Sequence, residues 1–184
     1  MITITLVVYL KYMQDDEEDS DYKASYIKKD DVTPLECEDN TSKSKLFNQK
    51  LLNNSIKALK KGYYKLDGGY IKSLNSKSII EDFISLAEVN TYYLKAIKAE
   101  AKKDIRKFLT INYEIIEHDK EKKINLKNES KFKAGTIRTS FRANAVEIFT
   151  FSKDFKFYDK NEIQSIVDCT IKVYKNNVKK YKNK

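Results

Sequence analysis

The spacing of apolar residues changes near the middle of the chain, and this change limits the possible folds. From Thr110 onward apolar residues recur at every second position in TINYEIIEH and KINLKN, which flank a charged turn and predict a β-hairpin. GTIRTSFRA and AVEIFTFSKDFKFY show the same alternation and predict two or three further strands. This part of the chain is therefore predicted to form a sheet.

Three other segments keep the 3.6-residue period of an amphipathic helix. The first covers residues 44–61 and ends at Gly62, a natural C-terminal stop. The second covers residues 79–109 and begins with Ser78 and Glu81, which match a capping box. The third covers residues 160–181, where Asp159 and Glu162 show the same capping pattern.

Shorter signals complete the predicted fold. MITITLVVYLKY is typical of a buried strand, DYKASYIKK predicts a second short strand, and Asp67-Gly68-Gly69 predicts the tight turn of a hairpin. We expect one domain spanning residues 1–184, with an acidic loop at about residues 13–40. The fold class is α+β, an antiparallel sheet of about five to seven strands packed by three helices.

Charge is segregated along the chain, whose formal net charge is +9. Residues 15–39 contain 11 acidic residues and three lysines, whereas residues 40–184 contain 32 Lys and Arg against 16 Asp and Glu. A basic body favours acidic partners, with nucleic acid first and an anionic membrane surface second. Lys, Asn, Ile and Tyr are also abundant, as an AT-rich coding sequence would give, so part of this charge need not serve a function.

The acidic run DDEEDSD, residues 15–21, allows three interpretations. A calcium loop is disfavoured because Ser20 stands where the loop requires Gly and Tyr26 where it requires Glu. The run either shields the basic body and competes with phosphate, or is a solvated loop that repels itself.

Two rows of cations are predicted to contact nucleic acid phosphate. One lies on the second predicted helix and the other on the third; they consist of Lys95, Lys98, Lys102 and Arg106, and of Lys172, Lys175, Lys179 and Lys182. Each row occupies a narrow arc of its helix, and such rows give a salt-dependent affinity that does not depend on sequence. The alternative is that they are solvated faces whose aliphatic stems cover the core.

Arginine and tyrosine side chains are further candidates for the same surface. Arg138 and Arg142 lie in one predicted strand, and a guanidinium holds phosphate in a fork. Tyr63, Tyr64 and Tyr70 could stack on unpaired bases. Two alternatives remain open: the tyrosines belong to the rim of the core, and the arginines pair across strands with Glu114, Glu117 or Glu147.

Most catalytic chemistries find little support in the sequence. The single histidine, His118, lies at a predicted turn, and the chain has neither a glycine-rich phosphate loop nor a zinc-ligand pattern. Asp154 and Lys156 fit the acid-x-Lys pattern of metal-dependent nucleases, but such triplets are expected by chance at this composition. We predict no cofactor and no metal site, and a metal-dependent nuclease is the third hypothesis.

Cys37 and Cys169 are the only cysteines, and without metal spacing they are predicted to be free thiols of an intracellular protein without a signal peptide. The first hypothesis is a non-enzymatic basic protein that contacts the phosphate of DNA or RNA, without sequence specificity, within a larger assembly. The second is a structural subunit, of virion type or from another multiprotein particle, that binds protein subunits. In that case the acidic segment and the basic body would meet on neighbouring subunits.

Overall fold

A computed structural model of the chain describes residues 33–102, 108–119 and 133–178. Several sequence predictions lie outside these residues. They are the two N-terminal strands, the acidic run, the strand KINLKN, and the cations Arg106, Lys179 and Lys182.

The described residues form a five-stranded sheet and four helices, which confirms the α+β class. The sheet order is β1-β5-β4-β3-β2. In chain order the elements are β1 (Lys43–Leu46), α1 (Gln49–Lys60), β2 (Tyr64–Ile71), α2 (Ile80–Phe83), α3 (Leu86–Ile97), β3 (Leu109–Glu117), β4 (Gly135–Ala143), β5 (Val146–Phe155) and α4 (Lys160–Asn176).

The sheet is mixed, so the prediction of an antiparallel sheet is only partly right. β2 pairs with β3 in parallel, and the other three pairings are antiparallel. The hairpin predicted at Asp67-Gly68-Gly69 is wrong, because these residues continue β2 opposite Asn112, Tyr113 and Glu114. Parallel neighbours need a crossover connection, and α2 and α3 lie in the segment that joins β2 to β3.

Gly68 is required by packing rather than by a turn. A Cβ atom at Gly68 would lie 2.2 Å from Cζ of Tyr113 on β3, whereas a Cβ atom at Gly69 would have nothing within 4 Å. The Tyr113 ring also stacks on Tyr93 of α3, with centroids 4.9 Å apart. The missing side chain at Gly68 therefore makes room for an aromatic pair that joins α3 to the sheet.

The first predicted helix begins later than expected. Residues 43–46 form β1, which pairs with β5 and places Leu46 opposite Phe149. The helix begins after Asn48, whose side chain accepts a hydrogen bond from the Leu51 amide. Apolar residues at this boundary suit a helix or a strand equally, and pairing with β5 decides in favour of the strand.

The second predicted helix, residues 79–109, is divided into α2 and α3. Ile84 has an extended backbone, and the Ser85 hydroxyl then caps α3 by accepting from the Glu88 amide at 3.2 Å. The capping box predicted at Ser78 is therefore wrong, since α2 has no side-chain cap and the Ser-x-x-Glu cap lies seven residues later. Helix α3 ends at Ile97, and the next residue, its C-cap Lys98, adopts the left-handed conformation with φ 61°.

The strands predicted at TINYEIIEH, GTIRTSFRA and AVEIFTFSKDFKFY are confirmed as β3, β4 and β5, but the predicted hairpin of TINYEIIEH with KINLKN is wrong, because β3 lies between β2 and β4. The last helix is confirmed except at its end, since α4 stops at Asn176 rather than at residue 181. Along β3 and β4, buried and partly exposed residues alternate over nine residues each. Helix α4 begins after the predicted cap Asp159, which accepts from the Asn161 amide. Buried side chains of the helices cover one face of the sheet, and the opposite face carries polar side chains such as Arg138 and Arg142. We call this second surface the open face.

Cys37 and Cys169 form a disulfide, so the prediction of two free thiols is wrong. The bond joins the segment before β1 to the middle of α4, across a sequence separation of 132 residues. Lys153 of β5 supports the same segment by donating to the carbonyl of Cys37 and pairing with Asp39 at 3.1 Å. The sequence does not show that the two cysteines come together, because their separation depends on the path of the chain.

The two adjacent glycines of β2 allow a matched test of the parallel strand. Gly68→Ala should lower the free energy of unfolding by about 1–3 kcal/mol, because the new methyl group collides with the Tyr113 ring. Gly69→Ala should change it by no more than about 0.5 kcal/mol. Urea unfolding followed by circular dichroism measures both values. Equal effects of the two substitutions would contradict the strand assignment.

The disulfide predicts a redox-dependent stability. Replacing Cys37 and Cys169 together by serine should lower the free energy of unfolding by about 2–4 kcal/mol, because the bond restricts the unfolded chain over a long loop. Dithiothreitol should shift the urea midpoint of the unsubstituted protein toward that of the double variant and leave the double variant unchanged. If the urea midpoint of the unsubstituted protein were the same with and without dithiothreitol, no disulfide would form.

Candidate nucleic-acid interface

The C-terminal ends of three helices meet at one end of the molecule. Helices α3 and α4 run in the same direction: near their starts Lys160 pairs with Glu88 at 2.8 Å, and near their ends Lys175 Nζ lies 3.4 Å from the carbonyl oxygen of Ile97. The charge of Lys60, at the end of α1, acts on Lys175 as well. Lysines from separate elements therefore share one surface.

We call this surface the basic end. Its lysines lie at or just beyond the ends of α1, α3 and α4, and they are Lys60, Lys61, Lys95, Lys98, Lys102 and Lys175. All except the half-buried Lys175 are exposed.

Lys175 shows how closely these charges approach one another. Burial lowers the pKa of its ammonium group, and repulsion from Lys98 and Lys60 lowers it further. Its Nζ lies 3.4 Å from the carbonyl oxygens of Ala96 and Ile97, the last carbonyls of α3. A lysine at a helix C-terminus also offsets the negative end of the helix dipole.

Lys102 reaches the basic end from the segment after α3. Its amide donates to the Gly62 carbonyl at 3.0 Å, and its ammonium lies 5.0 Å from the centroid of the Tyr63 ring. Gly62 has φ 77°, and a Cβ atom there would lie 2.1 Å from the carbonyl oxygen of Glu100, so only glycine fits. This glycine lets the chain after α3 pass close to the end of α1.

No carboxylate in the described part of the chain forms an ion pair with a lysine of the basic end. Within the described residues, the lysines that form ion pairs are Lys65, Lys72, Lys133, Lys153 and Lys160, and none of these belongs to it. Each of the three helix C-termini carries only about half a negative charge, which is less than the lysines supply. Glu100 is the acidic residue whose backbone lies against this surface. Counted over the described residues, the basic end therefore has an excess of positive charge.

The two predicted rows differ from their expected form. Lys95 is in the last turn of α3, Lys98 is its left-handed cap and Lys102 lies beyond it, so they do not form one helical stripe. Lys172 and Lys175 are both on α4, but Lys172 lies beside Asp168 and the disulfide rather than at the basic end. Lys60 and Lys61 were not among the predicted cations, and their only local signal is a Lys-Lys pair before Gly62.

The tyrosine prediction is largely wrong about placement. Tyr64 is fully buried in β2 and donates to the Ala99 carbonyl, and Tyr70 packs against the core and donates to the Ile84 carbonyl. Their rings belong to the core or its rim, as the alternative interpretation held. Only Tyr63 lies at the basic end, and Lys102 covers its ring.

Arg138 and Arg142 lie on the open face of β4, away from the helices. Arg142 donates to the Ala145 carbonyl at 2.8 Å, and within the described residues Arg138 makes no hydrogen bond or ion pair. The alternative of cross-strand ion pairs is not observed, although Glu114 stands opposite Arg138 and Glu147 opposite Arg142.

Glu117 lies on the helix-covered face and binds a different set of groups. Its carboxylate accepts from the Tyr158 hydroxyl and from the amides of Ser73 and Ile79. Burial raises its pKa, but these bonds and one from Ser78 outweigh burial and hold the pKa below the ordinary value. Glu117 therefore joins the loop after β2 to the loop before α4.

Two of the residues considered for catalysis, His118 and Asp154, both contact Thr136. His118 Nε2 lies 2.9 Å from Thr136 Oγ1, which donates to Asp154, and Lys133 pairs with the same carboxylate. Burial raises the pKa of Asp154, but Lys133 and Thr136 outweigh it, and the pKa is lowered. Within the described ranges, no three or more His, Cys, Asp or Glu side chains are grouped to hold a metal ion.

Comparisons with known proteins add little. No protein-family model and no curated protein matches the chain. Among solved structures, a PelC dodecamer variant from Paraburkholderia phytofirmans is similar over 67% of this chain and 90% of its own, with 5% sequence identity and a TM-score of 0.34. A similarity this low carries no argument about function. In the part of the chain that is described, no helix has the length and apolar character needed to cross a membrane.

The repulsion between Lys175 and Lys98 predicts that removing the charge of Lys98 changes the pKa of Lys175. Lys98→Gln should raise the pKa of the Lys175 ammonium toward its ordinary value of 10.5, because one repelling charge is removed. A titration of 13C-labelled lysine followed by NMR measures this pKa. Lys65→Gln, at a lysine paired with Asp67 on β2, serves as the control and should leave it unchanged. An unchanged pKa in both variants would show that the two lysines do not approach each other in solution.

Proposed function

We propose that this protein is a non-enzymatic binder of nucleic acid phosphate and that the basic end is its contact surface. One observation carries the proposal: lysines from α1, α3, α4 and the segment after α3 meet on one surface and form no ion pair with a carboxylate of the described residues. Phosphate neutralises such charges and releases condensed counterions, which gives affinity.

The type of cation at the basic end determines the kind of recognition expected. Lysine is a flexible point charge, whereas arginine offers a planar fork that matches phosphate and base edges. Because the basic end consists of lysines, it should bind DNA or RNA backbones with little dependence on sequence. Tyr63 adds a ring on which an unpaired base could stack if Lys102 moved to a phosphate.

A role in a larger assembly is supported by the other end of the molecule. Leu74 and Phe157 are 92% and 67% exposed in the two loops that Glu117 joins. Large apolar side chains in this position suit contact with another protein. Binding of protein subunits within an assembly is therefore the second candidate function. The nuclease hypothesis is not part of the proposal, because Asp154 already binds Lys133 and Thr136.

The location of the protein stays a prediction. The intracellular placement depended partly on two free thiols, and the disulfide removes that support. Disulfides persist mainly in oxidising compartments, so the nucleic acid partner is not restricted to one inside the cell.

Removing lysines of the basic end should weaken binding and reduce its salt dependence. Fluorescence polarisation with a labelled oligothymidylate, at several salt concentrations between about 50 and 200 mM, gives the slope of log K against log salt. Replacing Lys60, Lys98 and Lys102 together by glutamine should make this slope shallower by roughly 2, because three phosphate contacts are lost.

A second triple variant controls for net charge. It replaces Lys43, Lys77 and Lys156 by glutamine; these exposed lysines lie outside the basic end, and they form no ion pair within the described residues. Its slope should remain close to that of the unsubstituted protein. Equal losses in the two variants, or binding that is indifferent to salt, would contradict the proposed surface.

A further inference from the structure

The open face of the sheet contains a polar groove across β3, β4 and β5. Its volume is about 180 Å³. We call it the sheet groove, and its side chains are Asn112, Glu114, Arg138, Ser140, Arg142 and Glu147. Arg138 and Arg142 are the two arginines among the described residues, and both line it.

Two side chains of the sheet groove are already held by hydrogen bonds. Ser140 Oγ donates to Glu147 Oε1 at 2.7 Å, and the Arg142 guanidinium donates twice to the Ala145 carbonyl. These bonds fix the end of the groove next to the turn between β4 and β5. The rigid end can therefore hold a ligand without first having to become ordered.

Other polar groups in the sheet groove have unused hydrogen-bonding capacity. Asn112 Oδ1 is buried and has no partner within the described residues. The Arg138 guanidinium makes no hydrogen bond or ion pair with any described residue. The same is true of the Glu114 carboxylate, which stands opposite Arg138 on β3. A buried polar atom without a hydrogen-bond partner lowers the stability of the fold. Binding of a ligand that donates a hydrogen bond to Asn112 Oδ1 would therefore be favoured.

The sheet groove lies close to the basic end. The strand β3 begins at Leu109, whose amide donates to the carbonyl of Tyr63, the residue covered by Lys102. Arg142, in the groove, stands opposite Thr110, the next residue of β3. A nucleic acid strand bound at the basic end would reach the groove by continuing past the start of β3 onto the open face.

We infer that the sheet groove binds a guanine base of a single-stranded nucleic acid; the inference rests on the proposed function of the basic end. Guanine presents two adjacent acceptors, O6 and N7, that match the two donors of a guanidinium such as Arg138. Its N1–H and N2 amino group donate, and Glu114 and Asn112 Oδ1 offer the acceptors. The unused donors and acceptors of the groove are therefore those that one guanine base can satisfy.

The other bases match less well. Adenine has one amino group and no second donor beside it, and thymine has a single ring N–H and no amino group. Cytosine has adjacent acceptors, O2 and N3, and an amino group, but it has no ring N–H donor beside that amino group to satisfy a second acceptor of the groove. In a duplex the Watson–Crick edge of guanine is occupied, so the groove selects an unpaired base.

The experiment compares oligothymidylates that differ at one central position. Against the uniform oligomer, a single guanosine should raise the affinity of the unsubstituted protein at least about fivefold, whereas a single adenosine should not. Inosine lacks the N2 amino group and 7-deazaguanosine lacks the N7 acceptor, so each should lose part of that gain. This series requires no protein variant, and equal affinities for all the oligomers would overturn the inference.

Protein variants test whether the preference for guanosine comes from the sheet groove. Arg138→Ala and Glu114→Gln should abolish the gain from guanosine and keep most of the affinity for the uniform oligomer. Lys43→Ala also removes one positive charge from the open face but lies on β1, outside the groove, and should retain the gain. Thermal unfolding confirms that each variant is folded.

The two proposals fail in different ways. If the uniform oligomer does not bind at all, the proposed function is wrong. If it binds with salt-dependent affinity and guanosine brings no gain, only the inference about the sheet groove is wrong. A gain that persists in Arg138→Ala would place guanine recognition elsewhere and overturn the assignment.

Discussion

The stacking of Tyr174 on Phe141 determines how the helices are arranged on the sheet. The two rings are nearly parallel, with centroids 4.0 Å apart, and both are fully buried. The Tyr174 hydroxyl also shares a hydrogen bond with Ser55 of α1, so one side chain links β4, α4 and α1. The next residue, Lys175, reaches the last carbonyls of α3. The convergence of three helix ends, and with it the basic end, depends on this aromatic contact.

Local patterns predicted the elements whose environment is simple. β3 and β4 alternate between a covered face and an open face, and this alternation can be read in the sequence. The parallel pairing of β2 was not predictable in this way, because Gly68-Gly69 suits a turn and its role under Tyr113 depends on a residue far along the chain. The same limit applies to β1, since only its pairing with β5 distinguishes it from a helix start.

Most of the lysines of the candidate site could be predicted from the sequence, but the way in which they come together could not. Lys95, Lys98, Lys102 and Lys175 were identified from helical periodicity, yet the helix that was to carry three of them ends at Ile97. They meet because the chain after α3 returns to Gly62, and this contact also brings in Lys60 and Lys61. Asn112 could not have been chosen from the sequence, because its significance depends on a buried oxygen that has no partner.

The bond between Cys37 and Cys169 has a consequence for how the molecule tolerates damage. All five strands of the sheet and three of the helices lie between these two cysteines in the sequence. A single cut in that interval by a protease would leave both fragments in one covalent molecule, with α4 still anchored beside the first strand. Such a nicked protein would migrate as one species until a reducing agent separated its pieces.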